Sequence, residues 1–341
     1  MNQLLDVTDL SVSFNTYAGE VKAVRGINLQ LSAGETLAIV GESGSGKSVT
    51  SRAIMRILKK PGKITGGRVL YNGKDLTTLS DKAMQKIRGA EISMVFQDAM
   101  TSLNPTMTIG RQISEGLKKH QKLSSKEAKT QTVELLKKVE IPNPEVRYKQ
   151  YPHQFSGGMR QRAVIAMALA CNPKVLIADE PTTALDVTIQ GQILELLRDL
   201  QNVLNMGIIF ITHDLGVVAN LADRVAVMYA GVIVETGTVD ELFYNPKHPY
   251  LWGLLASMPK LHMGSKLRAI PGTPPNLLTP PLGCPFAARC PYAMKVCLEE
   301  MPARSDVSPT HSAACWLLDT NAPSVSLPQE SIVGGEVYAV K

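Results

Sequence analysis

Gly41-Glu42-Ser43-Gly44-Ser45-Gly46-Lys47-Ser48 is the stretch on which the fold turns. It fits the pattern G-x-x-x-x-G-K-[ST]. The apolar run Thr36-Leu37-Ala38-Ile39-Val40 precedes it and a helical pattern starts at Val49, the strand–loop–helix setting that such a loop needs. Glycines let the backbone curl until its N–H groups converge on phosphate oxygens, and the following helix adds the positive end of its dipole. Lys47 then reaches the β and γ phosphates of a nucleotide as a point charge, while the Ser48 hydroxyl coordinates Mg²⁺. Residues 41–48, with Val49, are therefore expected to form the phosphate side of a nucleotide site.

Outward from the loop, strands and helices alternate. Residues 10–14, 27–31 and 36–40 read as strands punctuated by Gly19, Gly26 and Gly34, a β-rich entry into one buried strand. Residues 49–58 read as helix and residues 66–76 as a hairpin turning at Asn72-Gly73. Over residues 98–160 the chain becomes polar and helical, with Val133, Leu135, Leu136 and Val139 at helical spacing and Pro142 and Pro144 as breaks. A helical subdomain inserted into an α/β core is expected there. The apolar strand 175–178, an amphipathic helix near 193–204, the strand 208–212 and a hairpin over 224–235 follow. That alternation implies a parallel sheet covered by helices.

Val175-Leu176-Ile177-Ala178-Asp179-Glu180 is an apolar strand ending in two carboxylates, at the strand edge where α/β folds place ligands. Two such acids can be an exposed corner; beside a phosphate loop they read as a metal-shell acid, Asp179, and a water-facing base, Glu180. Upstream lies Phe155-Ser156-Gly157-Gly158-Met159-Arg160-Gln161-Arg162, which resembles the signature of the ABC ATPase family. The resemblance implies an α/β fold of the P-loop NTPase (RecA-like) type: an ABC nucleotide-binding domain with a β-rich N-terminal subdomain, the inserted helical subdomain and a small proline- and cysteine-rich C-terminal extension. It further implies that Gln97, in Val95-Phe96-Gln97-Asp98, senses Mg²⁺ and water and relays to membrane subunits. Ala184-Leu185-Asp186 is similar to the family's D-loop, and His213, in Ile211-Thr212-His213-Asp214, to the histidine that contacts the γ-phosphate. Ser156, Gly157 and Gly158 would cap the ATP of a second ATPase subunit. The commoner signature has Leu first and Gln in place of Met159; Phe155 and Met159 depart from it and favour a heterodimer over a homodimer. The adenine-stacking aromatic is Phe14 or Tyr17, with Phe14 preferred by its distance along the strand.

Gln97-Asp98-Ala99-Met100-Thr101-Ser102-Leu103-Asn104-Pro105 closely resembles the peptide and nickel importer branch of the family, and Asn245-Pro246-Lys247-His248-Pro249-Tyr250 is similar to the motif opening the C-terminal extension of oligopeptide and dipeptide importer ATPases. The resemblance implies two transmembrane permease subunits, an extracytoplasmic peptide-binding protein and a place on the cytoplasmic face of the membrane. A nickel or other small-solute importer, and a soluble ABC ATPase outside transport, are the alternatives.

Composition shifts at residue 246. Pro271, Pro274, Pro275, Pro280, Pro281 and Pro285 crowd one stretch, poor material for long helices or central strands. The chain is accordingly divided into a nucleotide-binding domain over 1–245, an extension over 246–320 and a loose tail over 321–341. Cys284, Cys290, Cys297 and Cys315 fall at C-x5-C-x6-C-x17-C, which is not the paired spacing of zinc ribbons. Four thiolates in such a loop could hold a [4Fe-4S] cluster, as some members of this family do, or zinc, or nothing.

Bulk properties are compatible with this reading. Net charge is +6 over 341 residues with Lys and Arg spread along the chain, so no nucleic-acid partner is expected. The start, Met1-Asn2-Gln3-Leu4-Leu5-Asp6, lacks the features of a secretory signal. The longest apolar run, 163–171, is far shorter than the roughly 20 residues a spanning helix requires. Any attachment to a membrane should come through a partner.

Overall fold

The computed structural model describes residues 3–183, 185–258, 269–328 and 331. In chain order the strands are β1 (Gln3–Thr16), β2 (Gly19–Ser32), β3 (Thr36–Val40), β4 (Gly62–Tyr71), β5 (Lys74–Asp75), β6 (Ile92–Val95), β7 (Val175–Asp179), β8 (Gly207–Thr212), β9 (Arg224–Tyr229), β10 (Val232–Thr238), β11 (Ser305–Asp306) and β12 (Ser312–Ala313). The chain divides into two units, one of Met1–Leu4, Leu31–Glu35 and Tyr71–Ile211, the other of Leu5–Gln30, Thr36–Leu70 and Thr212–Lys341.

In the first unit, β6, β7 and β8 run parallel, with Ile92 opposite Val175, Val95 opposite Ala178 and Asp179 opposite Ile211. Every side chain of β7 and β8 is buried, which is why these strands read as unbroken apolar runs instead of alternating ones. The expected helical stretch forms helices Ile109–Gln121, Ser125–Lys138 and Pro144–Arg147. Ser124 and Glu127 close a capping box at the start of the second, satisfying two N–H groups that the helix itself leaves open. The signature helix Gly157–Leu169 is tied to this stretch by Arg162, which donates to Val139 O at 2.9 Å and to Glu140 Oε2 at 2.6 Å.

In the second unit β3 lies parallel to β9, from Leu37 opposite Arg224 to Val40 opposite Val227. β9 returns as β10 through Ala230-Gly231, both at positive φ (47° and 83°), the conformation that a tight two-residue hairpin needs. β2, β1 and β4 are neighbours in a second sheet. The first hairpin is longer than the sequence suggested, because the polar Asp9 and Asn28 lie within its strands without ending them: Asn28 Oδ1 accepts from Asp9 N at 3.0 Å.

Among its described residues the proline-rich segment builds no central strand. Its two-residue β12 adds to the outer edge of β10, with Glu235 opposite Ala313, and β11 pairs with β12. Short pieces of this kind blunt a sheet edge. Tyr250, Phe286, Ala287, Cys284 and Cys297 share one hydrophobic core with Val40, Val227 and Tyr229, so the segment after residue 246 packs on the strand that feeds the phosphate loop.

Candidate functional site

The candidate residues are divided between the two units. In the second unit the buried β3 delivers the chain into the loop at Gly41, whose φ is 153° and where a Cβ would stand 2.1 Å from Met228 O. Gly46 has φ 106°, with a Cβ position 2.6 Å from Ala23 O. Neither place admits a side chain, so both glycines are dictated by the loop's path. Ser45 N donates to Glu42 O at 3.2 Å, Gly231 N to Ser45 O at 2.9 Å and Arg25 N to Gly231 O at 2.8 Å, lacing the loop to the β9–β10 turn. Lys47, 5% exposed, points back over the loop, and its Nζ donates to Gly41 O at 2.7 Å and Glu42 O at 2.9 Å. Ser45 Oγ is buried and has no hydrogen-bond partner among the described residues. A buried hydroxyl in that condition suits an anion's oxygen, so the loop fits a phosphate by its own geometry. Ser48 and Val49 are half-buried in the first turn of helix Lys47–Ile54.

Glu42 is tied to residues outside the loop through both its main chain and its side chain. Its N–H donates to Tyr250 Oη at 2.8 Å, and its carboxylate is gripped by Arg289 at 2.6 and 2.9 Å. That N–H is spent inside the chain and does not join the expected phosphate donors. No signal in a single sequence links positions 42 and 289.

His213 is exposed just after β8. Its turn is fixed by Asp214, whose N donates to Thr212 Oγ1 at 3.0 Å and whose Oδ1 accepts from Gly216 N at 2.8 Å. For adenine, the ring of Phe14 lies against Gly62, where a Cβ would be 2.6 Å from Phe14 Cε1. Tyr17 is fully exposed at the tip of the β1–β2 hairpin. Phe14 is thus half-buried against β4, while Tyr17 is exposed.

In the first unit β7 carries Asp179, fully buried, to its carboxyl end. Glu180 follows at φ 49°, a left-handed conformation that costs a non-glycine residue on the order of 1 kcal/mol or more. It is held there by Glu180 N donating to Ile211 O at 2.9 Å and Thr183 N donating to Glu180 O at 3.2 Å. Its Oε2 accepts from Gln97 Nε2 and from Thr183 Oγ1, each at 3.0 Å. Gln97 and Glu180, 83 residues apart, are therefore brought into one hydrogen-bonded set.

Ser156 caps the signature helix, its Oγ accepting from Met159 N at 3.3 Å. Ser156 and Gly157 are exposed, and a Cβ on Gly157 would meet nothing within 4 Å. The chain's own packing does not require glycine there; close approach by something outside the chain would. Phe155 is buried (3%), so its departure from Leu is a matter of packing. Met159 is the departure at the exposed turn. Ala184 of the D-loop lies outside the described residues.

The four C-terminal thiols share one neighbourhood: charge on Cys290 or Cys297 opposes ionisation of Cys284, and charge on any of these three opposes that of Cys315. Burial pushes Cys284 up to about 11 and Cys315 up to about 12, and raises Cys290. Among the described residues, however, no three His, Cys, Asp or Glu side chains are grouped so as to hold a metal ion. His248 serves the local backbone, where its Nδ1 accepts from Tyr250 N at 3.1 Å and so caps helix Pro249–Ala256; full burial pushes its pKa down to about 3.

Residues 24–183 match the family described as ABC transporter, and residues 234–297 match the one described as oligopeptide/dipeptide transporter, C-terminal region. The oligopeptide transport ATP-binding protein OppD of Bacillus subtilis is 64% identical over 332 residues, covering 96% of this chain and 93% of that protein. The dipeptide transport ATP-binding protein DppD of the same organism is 58% identical over 324 residues, covering 94% and 97%. Among solved structures, the ATP-binding cassette MJ0796, dimeric in a post-hydrolysis state with ADP and Pi, is similar with a TM-score of 0.63 at 28% identity, covering 69% of this chain and 99% of that one.

Proposed function

The chain belongs to the ABC transporter family of ATP-binding proteins, and we propose that it hydrolyses ATP to power import of oligopeptides or dipeptides through a membrane complex. The observation that carries this reading is likeness over almost the full length to peptide transport ATP-binding proteins, with the C-terminal region included.

In the proposed reaction a water attacks the γ-phosphorus, the bridging P–O bond to the β-phosphate breaks, and ADP and phosphate leave. The loop N–H groups, Ser45 and Lys47 hold the phosphates. Ser48, Asp179 and Gln97 would hold Mg²⁺, which would offset phosphate charge; Glu180 orients the water and takes its proton, and His213 stabilises charge on the γ-phosphate. Ser156 to Gly158 face the nucleotide of a second ATPase subunit, for which we propose a different chain. Open space around Gly157 supports that role. Two permease subunits, contacted near Gln97, and an extracytoplasmic peptide-binding protein complete the complex, with this chain on the cytoplasmic face. None of the described helices is long and apolar enough to cross a membrane. A [4Fe-4S] cluster or zinc on Cys284, Cys290, Cys297 and Cys315 is not part of the proposal, because those thiols are not grouped as ligands of one ion.

Base stacking on Tyr17 has its own test. Stacking on an aromatic is worth about 1–3 kcal/mol, so Tyr17→Ala should raise the KM for ATP by about tenfold. Phe14→Ala should act mainly on the thermal midpoint. The reverse pattern in the two KM values would return the stacking role to Phe14. For the transport reading, cells lacking this chain should lose uptake of labelled di- and oligopeptides and regain it on complementation; undiminished peptide uptake, with loss of another solute instead, would replace peptides as the cargo.

A further inference from the structure

The phosphate loop is held by the C-terminal segment through one residue, Glu42. Arg289 stands in the short turn Ala287–Arg289, between Cys284 and Cys290, and is 247 residues away in sequence. Its Nη1 and Nη2 donate to the two carboxylate oxygens of Glu42 at 2.6 and 2.9 Å, a fork that only guanidinium provides. The remaining donors are engaged too: Nη1 reaches Tyr229 Oη at 3.2 Å, Nη2 reaches Ile270 O at 3.2 Å, and Nε reaches Pro271 O at 2.8 Å. The arginine side chain is 5% exposed and that of Glu42 is 26% exposed, so solvent screens the pair only in part.

The main chain of Glu42 is gripped from the same segment, since its N–H donates to Tyr250 Oη. Tyr250 packs against Tyr229 with ring centres 4.6 Å apart, and both contact Phe286 at 5.3 Å. The Arg289 guanidinium lies 5.7 Å from the centre of the Tyr229 ring. This floor belongs to the core that contains Val40, the last residue of the strand entering the loop.

Glu42 presents an electrostatic difficulty. A carboxylate within a loop that binds a polyanion opposes that ligand, by an amount that grows as water is excluded. Paired with Arg289, its charge is offset and its position fixed, with the loop carbonyls of Gly41 and Glu42 still facing Lys47.

We propose that Arg289, supported by Tyr250, is a positioning residue for the phosphate loop: the C-terminal segment clamps Glu42 and neutralises it, so that affinity for ATP depends on a segment outside the nucleotide motifs. Arg289 acts through Glu42 and does not touch the nucleotide. The inference rests on ATP binding at residues 41–48 and extends that reading.

The test is a double-mutant cycle on the full chain, reading the Kd for MgATP together with kcat and KM. Arg289→Gln bares the carboxylate and should raise Kd and KM by about tenfold, with kcat at saturating ATP changed less than about twofold. Adding Glu42→Gln should recover most of that loss, a rescue that a purely structural role for Arg289 would not show. Arg289→Lys keeps the charge but loses the fork and should raise Kd by about threefold; it serves where the Gln variant does not fold. Wild-type affinity in both Arg289 variants, or a double variant no better than Arg289→Gln alone, would overturn the proposal. If the wild-type chain itself does not bind MgATP, the fault lies with the nucleotide-site reading and not with the clamp.

Discussion

Glu180→Gln should lower the ATP turnover of the chain by about a thousandfold while leaving MgATP bound, which is the range expected when a general base is removed. The amide has the size and shape of the carboxylate and can still accept from Gln97 Nε2 and Thr183 Oγ1, the two groups that hold Glu180 Oε2 at 3.0 Å. What it lacks is the capacity to take a proton from water. The backbone is not at issue, because the φ of 49° at Glu180 is imposed by hydrogen bonds of its own N–H and C=O to Ile211 and Thr183. A left-handed backbone conformation at Glu180 accords with a carboxylate whose direction is fixed. The measurement is steady-state phosphate release beside equilibrium binding of MgATP. Turnover within a few-fold of wild type would remove Glu180 from its role.

Lys47→Ala should weaken MgATP binding by about a hundredfold or more, corresponding to roughly 3 kcal/mol. The ammonium is buried and bridges Gly41 O and Glu42 O, so the cation proposed to meet the phosphates is also a brace of the loop. Charge-assisted hydrogen bonds in such a position are stronger than neutral ones, and no neighbouring group of the loop replaces them. Titration of the purified variant with MgATP checks the loss, and circular dichroism checks that the fold survives. Near-normal affinity would mean that nucleotide is held elsewhere.

Glu180→Gln and Lys47→Ala separate two functions that the sequence already distinguishes. The loop at 41–48, the strand ending in Asp179-Glu180 and the turn at 155–162 are legible because each depends on local order: an apolar run, then glycines or acids, then a helix. β7 and β8 are legible for the same reason, since burial on both faces leaves an apolar run. Contacts between distant segments are what the sequence does not supply. Arg289 meets Glu42 across 247 residues, and neither position has a composition that announces the other.

Side-chain placement adds what position along the chain does not show at two residues. Distance along the strand favours Phe14 as the base-stacking ring, but its place on β1 turns it onto Gly62, whereas Tyr17 emerges at the hairpin tip. Phe155 reads as a variant at the nucleotide-facing signature, and its side chain goes inward instead. In both cases the residue type suits the chemistry and the side-chain direction is decided by neighbours remote in sequence. The cysteines illustrate the same limit, since their crowding along the chain places them in one neighbourhood without grouping them as ligands.

The most direct measurement of the central claim is ATP-dependent uptake of labelled peptide into proteoliposomes that carry the chain with its permeases, second ATPase and binding protein. Uptake should require ATP on the side of the membrane that bears this chain, and should fall to background with Glu180→Gln although the complex assembles and binds MgATP. Peptide uptake that continues at the wild-type rate with Glu180→Gln would contradict the claim that hydrolysis by this chain powers import.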